Sequence, residues 1–146
     1  DNIFDDNKFD SIDFDQAVEG SFIRNNEILN SGNDGIDLSA SEVKIENNRI
    51  TGAGDKGISV GEGSYPEIRF NEISKCYIGV ESKDSSIATI VENKFSSNKL
   101  DFNAYQKKKR FLSGGIINAE NNEYDDTEPV FNYDKYSIVN IIKNDE

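Results

Sequence analysis

The chain has 146 residues, with 28 acids against 16 bases for a net charge of −12, and no histidine, no methionine, no tryptophan and one cysteine. That charge repels nucleic-acid backbones, and without histidine there is no Ser-His-Asp triad, histidine metal ligand or histidine general base. Cys76 alone allows neither an internal disulfide nor a cysteine zinc site, and no apolar run approaches the ~20 residues of a membrane-spanning helix.

Apolar residues make up only 35% of the chain, yet their pattern is too regular for disorder. There are 18 Asn and 18 Ile against 4 Leu and 2 Pro. Abundant β-branched residues favour strands, while Asn and Gly favour frequent tight turns.

In chain order, the tripeptide Asn-x-(Ile/Phe/Tyr) recurs. It appears at Asn7-Lys8-Phe9, Asn26-Glu27-Ile28, Asn48-Arg49-Ile50, Asn71-Glu72-Ile73, Asn93-Lys94-Phe95 and Asn122-Glu123-Tyr124. Three residues before most of these Asn stands another apolar residue: Ile23, Ile45, Ile68, Ile90, then Ala119. A second element follows, with apolar residues flanking a polar one: Ile12-Asp13-Phe14, Ile36-Asp37-Leu38, Ile58-Ser59-Val60, Val80-Glu81-Ser82 and Phe102-Asn103-Ala104. For the last two, Ile78-Gly79-Val80 and Leu100-Asp101-Phe102 form an alternative register.

No segment carries ten residues of helical periodicity. A period near 22 residues with short strands and no helix predicts a right-handed parallel β-helix of about five to six coils. A leucine-rich repeat would need a Leu framework, and a propeller blade about twice the period. In a parallel β-helix, equivalent residues of successive coils lie ~4.8 Å apart. The predicted interior columns are therefore Ile23/Ile45/Ile68/Ile90, Phe9/Ile28/Ile50/Ile73/Phe95/Tyr124 and Ile12/Ile36/Ile58/Val80/Phe102. The repeated Asn is expected at a sharp bend, bonded to the Asn above and below, and Gly35 and Gly57 are expected to serve turn geometry.

The coils are expected over residues 1–124, followed by an irregular closing segment over 125–146 with a last strand at Ser137–Ile142. The charged end Lys143-Asn144-Asp145-Glu146 would block further coils. The opening Asp1–Asp6 enters an element already in register, which predicts a longer chain continuous with an upstream domain.

Four strings carry a family resemblance: Gly54-Asp55-Lys56-Gly57-Ile58-Ser59-Val60-Gly61-Glu62, Asn33-Asp34-Gly35-Ile36-Asp37-Leu38-Ser39, Ile78-Gly79-Val80-Glu81-Ser82-Lys83-Asp84 and Ala104-Tyr105-Gln106-Lys107-Lys108. They resemble the right-handed parallel β-helix superfamily, the pectate-lyase-like group with its carbohydrate-binding and sugar-hydrolase repeats. More narrowly, they are similar to β-helix regions of bacterial surface or secreted proteins that also carry spore-coat-H-type kinase or lamin-tail domains. The resemblance implies an extracellular or cell-surface setting. It fixes the fold far better than the activity, because one fold hosts lyases, epimerases, adhesins and spacers. No kinase motif is recognisable in this chain.

Outward residues of the second element form a polar ladder, Asp13, Asp37, Ser59, Glu81 and Asn103. Two residues on runs another, Asp15, Ser39, Gly61, Lys83 and Tyr105. The candidate ligand-binding residues are Asp37, Ser59, Glu81, Lys83, Asn103 and Tyr105, with Asp84 as a neighbour and Tyr105 as a sugar-stacking surface. Resemblance to β-helix lyases suggests carboxylates holding calcium and a Lys acting as base. Asp13, Asp15 and Asp37 are the candidate metal ligands, and the Asn33-Asp34 pair also suggests calcium, although no cofactor motif is evident and no EF-hand or nonapeptide calcium motif is present. Polar outward positions are also what solubility alone demands.

Lys107–Arg110 could dock an acidic polysaccharide or neutralise nearby acids, although four like charges in a loop are usually just a solvated loop. Cys76 is expected as a partly buried, inert thiol. Tyr65, Tyr105, Tyr133 and Tyr136 are exposed candidates for stacking on sugars. The leading expectation is a non-catalytic β-helix domain presenting a rigid polar face to a polysaccharide or to another protein domain, with no nucleic acid and no membrane insertion. The alternatives are a fragment of a polysaccharide lyase or epimerase acting on acidic glycans, and a structural spacer.

Overall fold

The computed structural model describes residues 1–143; among these there are strands and turns and no helix. Asn144, Asp145 and Glu146 of the expected charged end lie outside the described residues. The first two coils contain β1 (Ile3–Asp5), β2 (Ile12–Asp15), β3 (Ser21–Arg24), β4 (Glu27–Leu29), β5 (Ile36–Ser39) and β6 (Val43–Glu46). The next two contain β7 (Arg49–Thr51), β8 (Lys56–Gly61), β9 (Glu67–Arg69), β10 (Glu72–Ser74), β11 (Ile78–Lys83) and β12 (Ile87–Val91). The last two contain β13 (Lys94–Ser96), β14 (Leu100–Tyr105), β15 (Ile116–Glu120), β16 (Glu123–Tyr124), β17 (Phe131–Tyr133) and β18 (Ile138–Ile142).

Every third strand pairs in parallel with the next, giving three six-stranded sheets. The first sheet runs β1-β4-β7-β10-β13-β16, the second β2-β5-β8-β11-β14-β17 and the third β3-β6-β9-β12-β15-β18. The chain is a parallel β-helix of six coils. Its registers give the expected column Ile12–Ile36–Ile58–Val80–Phe102, which selects Val80-Glu81-Ser82 over the alternative register. They likewise give Ile23–Ile45–Ile68–Ile90–Ala119. From Ile36 through Ile90 these columns are fully buried. Branched side chains pack well when stacked on a pleated surface.

The remaining column differs at its start. Ile28, Ile50, Ile73, Phe95 and Tyr124 stack as expected, but the residue beneath Ile28 is Phe4, whereas Phe9 is 68% exposed. The first coil takes its register from Asn2-Ile3-Phe4, a second match to the same tripeptide that lies 24 residues before Asn26. At the other end the core widens around aromatics. Phe95 meets Phe102 edge-on at 5.0 Å and stacks on Tyr124 at 5.7 Å.

Three bends close each coil. The asparagine ladder lines one of them: Oδ1 of Asn48 accepts both the backbone N–H and the side-chain Nδ2–H of Asn26, and Asn71, Asn93 and Asn122 repeat this one coil further on each time. The left-handed residue is the one just before the ladder. Asn25, Asn47, Phe70, Glu92 and Asn121 have φ of 53–56°, and the ladder Asn itself is not left-handed. A second ladder, which the sequence pattern did not disclose, runs through serines. Oγ of Ser41 accepts the Ala17 N–H, Ser64 that of Ser41 and Ser86 that of Ser64.

Gly35 stands at a bend just ahead of β5, as expected, whereas Gly57 lies within β8 and not in a turn; neither has positive φ. They allow close approach between coils. A Cβ on Gly57 would stand 2.7 Å from the Gly79 carbonyl oxygen and 2.8 Å from Ile73 Cγ2, and one on Gly35 2.6 Å from the Gly57 carbonyl oxygen.

A lysine–carboxylate cluster on the outer face of the second sheet

Alternation along β2, β5, β8, β11 and β14 turns one residue in two away from the core. The outward ladders therefore form as registered pairs. Asp13 lies beside Asp37, Asp37 beside Ser59, Ser59 beside Glu81 and Glu81 beside Asn103, and β17 adds Asn132 beside Asn103. In the neighbouring column Asp15 lies beside Ser39, Ser39 beside Gly61, and Lys83 beside Tyr105.

The middle of this face is not a solvated surface. Ser59 is fully buried and Glu81 is 2% exposed, because two lysine stems lie over them. Lys83 Nζ donates to Ser59 Oγ at 2.6 Å and lies 3.8 Å from Glu81 Oε1. Lys56 Nζ lies 3.8 Å from the same Oε1 and 3.6 Å from Asp34 Oδ1, and donates to Asp55. Glu81 Oε2 accepts from Asn103 Nδ2 at 2.8 Å, while Oε1 is buried without a hydrogen bond. Glu81 is thus the shared anion of two covered ammonium groups.

The electrostatics follow from this arrangement. Burial works against the Lys56 charge, but the hydrogen bond to Asp55 and the carboxylates of Glu81 and Asp34 outweigh it and hold its pKa above the ordinary lysine range. Burial lifts the Asp34 carboxyl to about 6 against the opposing pull of Lys56. Burial and the Glu81 charge push the Tyr105 hydroxyl up to about 12. Lys56 therefore has no lone pair to offer as a base at neutral pH, and Lys83 Nζ is turned to Ser59 Oγ as a hydrogen-bond donor.

Beside the cluster opens a groove of about 440 Å³, lined by Asp55, Lys56, Glu81, Asn103, Tyr105, Asn132, Tyr133 and Asp134. A larger hollow of about 650 Å³ at the first coil, lined by Phe4, Ile12, Phe14 and Ile23 among others, is the exposed end of the core columns.

Other candidates fall elsewhere. Asp84 does not face this cluster; its Oδ1 accepts the backbone N–H groups of Lys107 and Lys108 at 2.7 Å each and anchors that loop. Lys108 and Arg110 pair with Glu62, whose carboxyl they hold below the usual range, so these cations neutralise a nearby acid. Tyr105 is half-buried, whereas Tyr65, Tyr133 and Tyr136 are exposed. Asp13 and Asp15 are exposed, and Asp37 is half-buried with Oδ1 unpartnered. Partial loss of water around its carboxylate, and then the charges of Asp37, Asp10 and Asp15, raise the pKa of Asp13 even at this exposed position. Among the described residues, no three or more His, Cys, Asp or Glu side chains converge on a point where a metal could sit. Asp55 and Lys56 escaped the sequence reading, and Asp34, weighed there with Asn33 for calcium, instead faces Lys56, which the coil period places 22 residues further on.

The profile of a family described as NosD, periplasmic copper-binding protein, matches residues 1–144. The chain belongs to the NosD family. No curated protein and no solved structure matches it. The copper named in the NosD description does not fit the residues present. Copper sites draw on thiolate, thioether and imidazole ligands, and this NosD member has no histidine or methionine anywhere in its sequence. Its one thiol, on Cys76, is 3% exposed, donates to the Ser74 carbonyl oxygen at 3.3 Å, and is made harder to ionise by burial. The carboxylates of the second-sheet cluster already serve two lysines.

Proposed function

We propose that this chain is a rigid, non-catalytic binding domain of an extracytoplasmic β-helix protein, and that the outer face of its second sheet receives a polysaccharide. The observation that carries this reading is the groove beside Glu81. Its floor is a polar network held in place by buried charge, and Tyr105 and Tyr133 line it. Aromatic rings beside fixed amides and hydroxyls suit sugars, whose ring faces stack while their hydroxyls bond. The description of the NosD family as periplasmic supports the extracytoplasmic setting.

The protonated state of Lys56 and the internal pairing of Glu81 favour binding over lyase or epimerase chemistry, which needs a free base. Co-sedimentation with insoluble polysaccharides tests the reading. The wild-type chain is expected in the pellet, and a Tyr133→Ala variant, altered at an exposed ring, in the supernatant. Equal partition of the two proteins would overturn it.

A further inference from the structure

The groove beside Glu81 is lined by more acids than bases. Its cations are already engaged: Lys56 contacts Asp34, Asp55 and Glu81, and Lys83 contacts Ser59 and Glu81. Their side chains are only 11% and 10% exposed. Three carboxylates face two ammonium groups in the cluster, and Asp134 adds another acid to the groove lining, where Lys56 is the one basic residue. The nearby cations Lys108 and Arg110 are tied to Glu62. A uronate or sulfate entering here would meet a net negative field in a region partly shielded from water, with no unpaired cation to receive it.

The groove offers amides and phenols instead. Asn103 and Asn132 stand one coil apart, with Asn132 Nδ2 3.5 Å from Asn103 Oδ1, and Tyr105 keeps its hydroxyl proton well beyond neutral pH. These groups exchange hydrogen bonds with sugar hydroxyls without needing a charge on the ligand.

We infer that the groove takes an uncharged, hydroxyl-rich polysaccharide and rejects acidic ones. This rests on the polysaccharide reading above and narrows it. Affinity electrophoresis separates the two claims, with the wild-type chain run through gels carrying xylan, mixed-linkage β-glucan, glucomannan, polygalacturonate or alginate, each with calcium and with a chelator. Retardation by at least one neutral polymer and by neither acidic polymer is expected. Retardation by an acidic polymer, alone or equally with a neutral one, would overturn the charge selectivity and leave polysaccharide binding standing. Retardation by none would overturn both. The Asp55→Asn variant removes one partner of Lys56 from a half-exposed position and is expected to shift the preference toward polygalacturonate; an unchanged preference would overturn the electrostatic cause.

Discussion

Lys83 lies across Gly61: a Cβ on that glycine would stand 2.9 Å from Lys83 Cε. The bare backbone of Gly61 lets the lysine stem lie flat along the sheet, so that Nζ reaches Ser59 one coil below. Gly57, four residues earlier in the same strand, meets backbone and core instead of a flexible stem. The two glycines should therefore respond differently. Gly61→Ala is expected to change stability by no more than about 1 kcal/mol, since the lysine tail can move aside and the unfolded chain loses some freedom. Gly57→Ala is expected to cost about 1–3 kcal/mol through overpacking. Urea unfolding of both variants checks the contrast, and equal costs would contradict it.

The asparagine ladder holds buried donors that have no water to fall back on. In an Asn71→Ala variant, Asn48 loses the acceptor of both its backbone N–H and its Nδ2–H. Leaving buried donors unsatisfied costs about 1–3 kcal/mol each. A loss of about 2–4 kcal/mol is expected by chemical denaturation. A loss below about 1 kcal/mol would show that the ladder contributes little.

Asp34 makes stability depend on pH. Its folded pKa of about 6 lies above the ordinary aspartate value of 3.8. The folded state therefore holds the proton more tightly than the unfolded state, so the ionised carboxylate weakens folding above about pH 6, and this penalty fades as pH falls toward 3.8. Asp34→Asn keeps an acceptor for the Lys56 N–H and removes the charge. Relative to wild type, the variant is expected to gain about 1–3 kcal/mol at about pH 8, with the difference shrinking by about pH 4. Unfolding curves at both pH values check this, and a difference that grows on acidification would contradict it.

Copper separates the family description from this chain. Without histidine or methionine, and with Cys76 buried, titration with Cu(I) or Cu(II) against a chromophoric chelator is expected to leave the metal on the chelator. Stoichiometric transfer of copper to the folded chain would contradict the donor argument.

The fold was legible because one period repeats at each level of structure. Isoleucines 22 or 23 residues apart, such as Ile45, Ile68 and Ile90, must share a column once the chain coils. The start of the first coil was misread because Asn2-Ile3-Phe4 and Asn7-Lys8-Phe9 fit the same tripeptide, and only the pairing of Phe4 with Ile28 decides between them. The outward ladders through Ser59, Glu81 and Asn103 were legible for the same reason as the core columns. Their burial was not, because it depends on where flexible lysine stems come to rest. Lys56 stands beside Gly57 in a string that reads as a turn, yet it occupies the first position of β8, where its ammonium meets carboxylates from three coils. The serine ladder was hidden because serine is common in any turn.

Amide chemical-shift mapping with a soluble neutral oligosaccharide locates a sugar polymer on the chain. If it lies along the second sheet, beside the Lys56–Glu81–Lys83 cluster, perturbations concentrate at Asp55, Asn103, Tyr105, Asn132 and Tyr133, with Tyr65, Phe70 and the strands of the third sheet unchanged. Perturbations centred on the first or third sheet, or on the exposed core at Phe4 and Phe14, would contradict this placement.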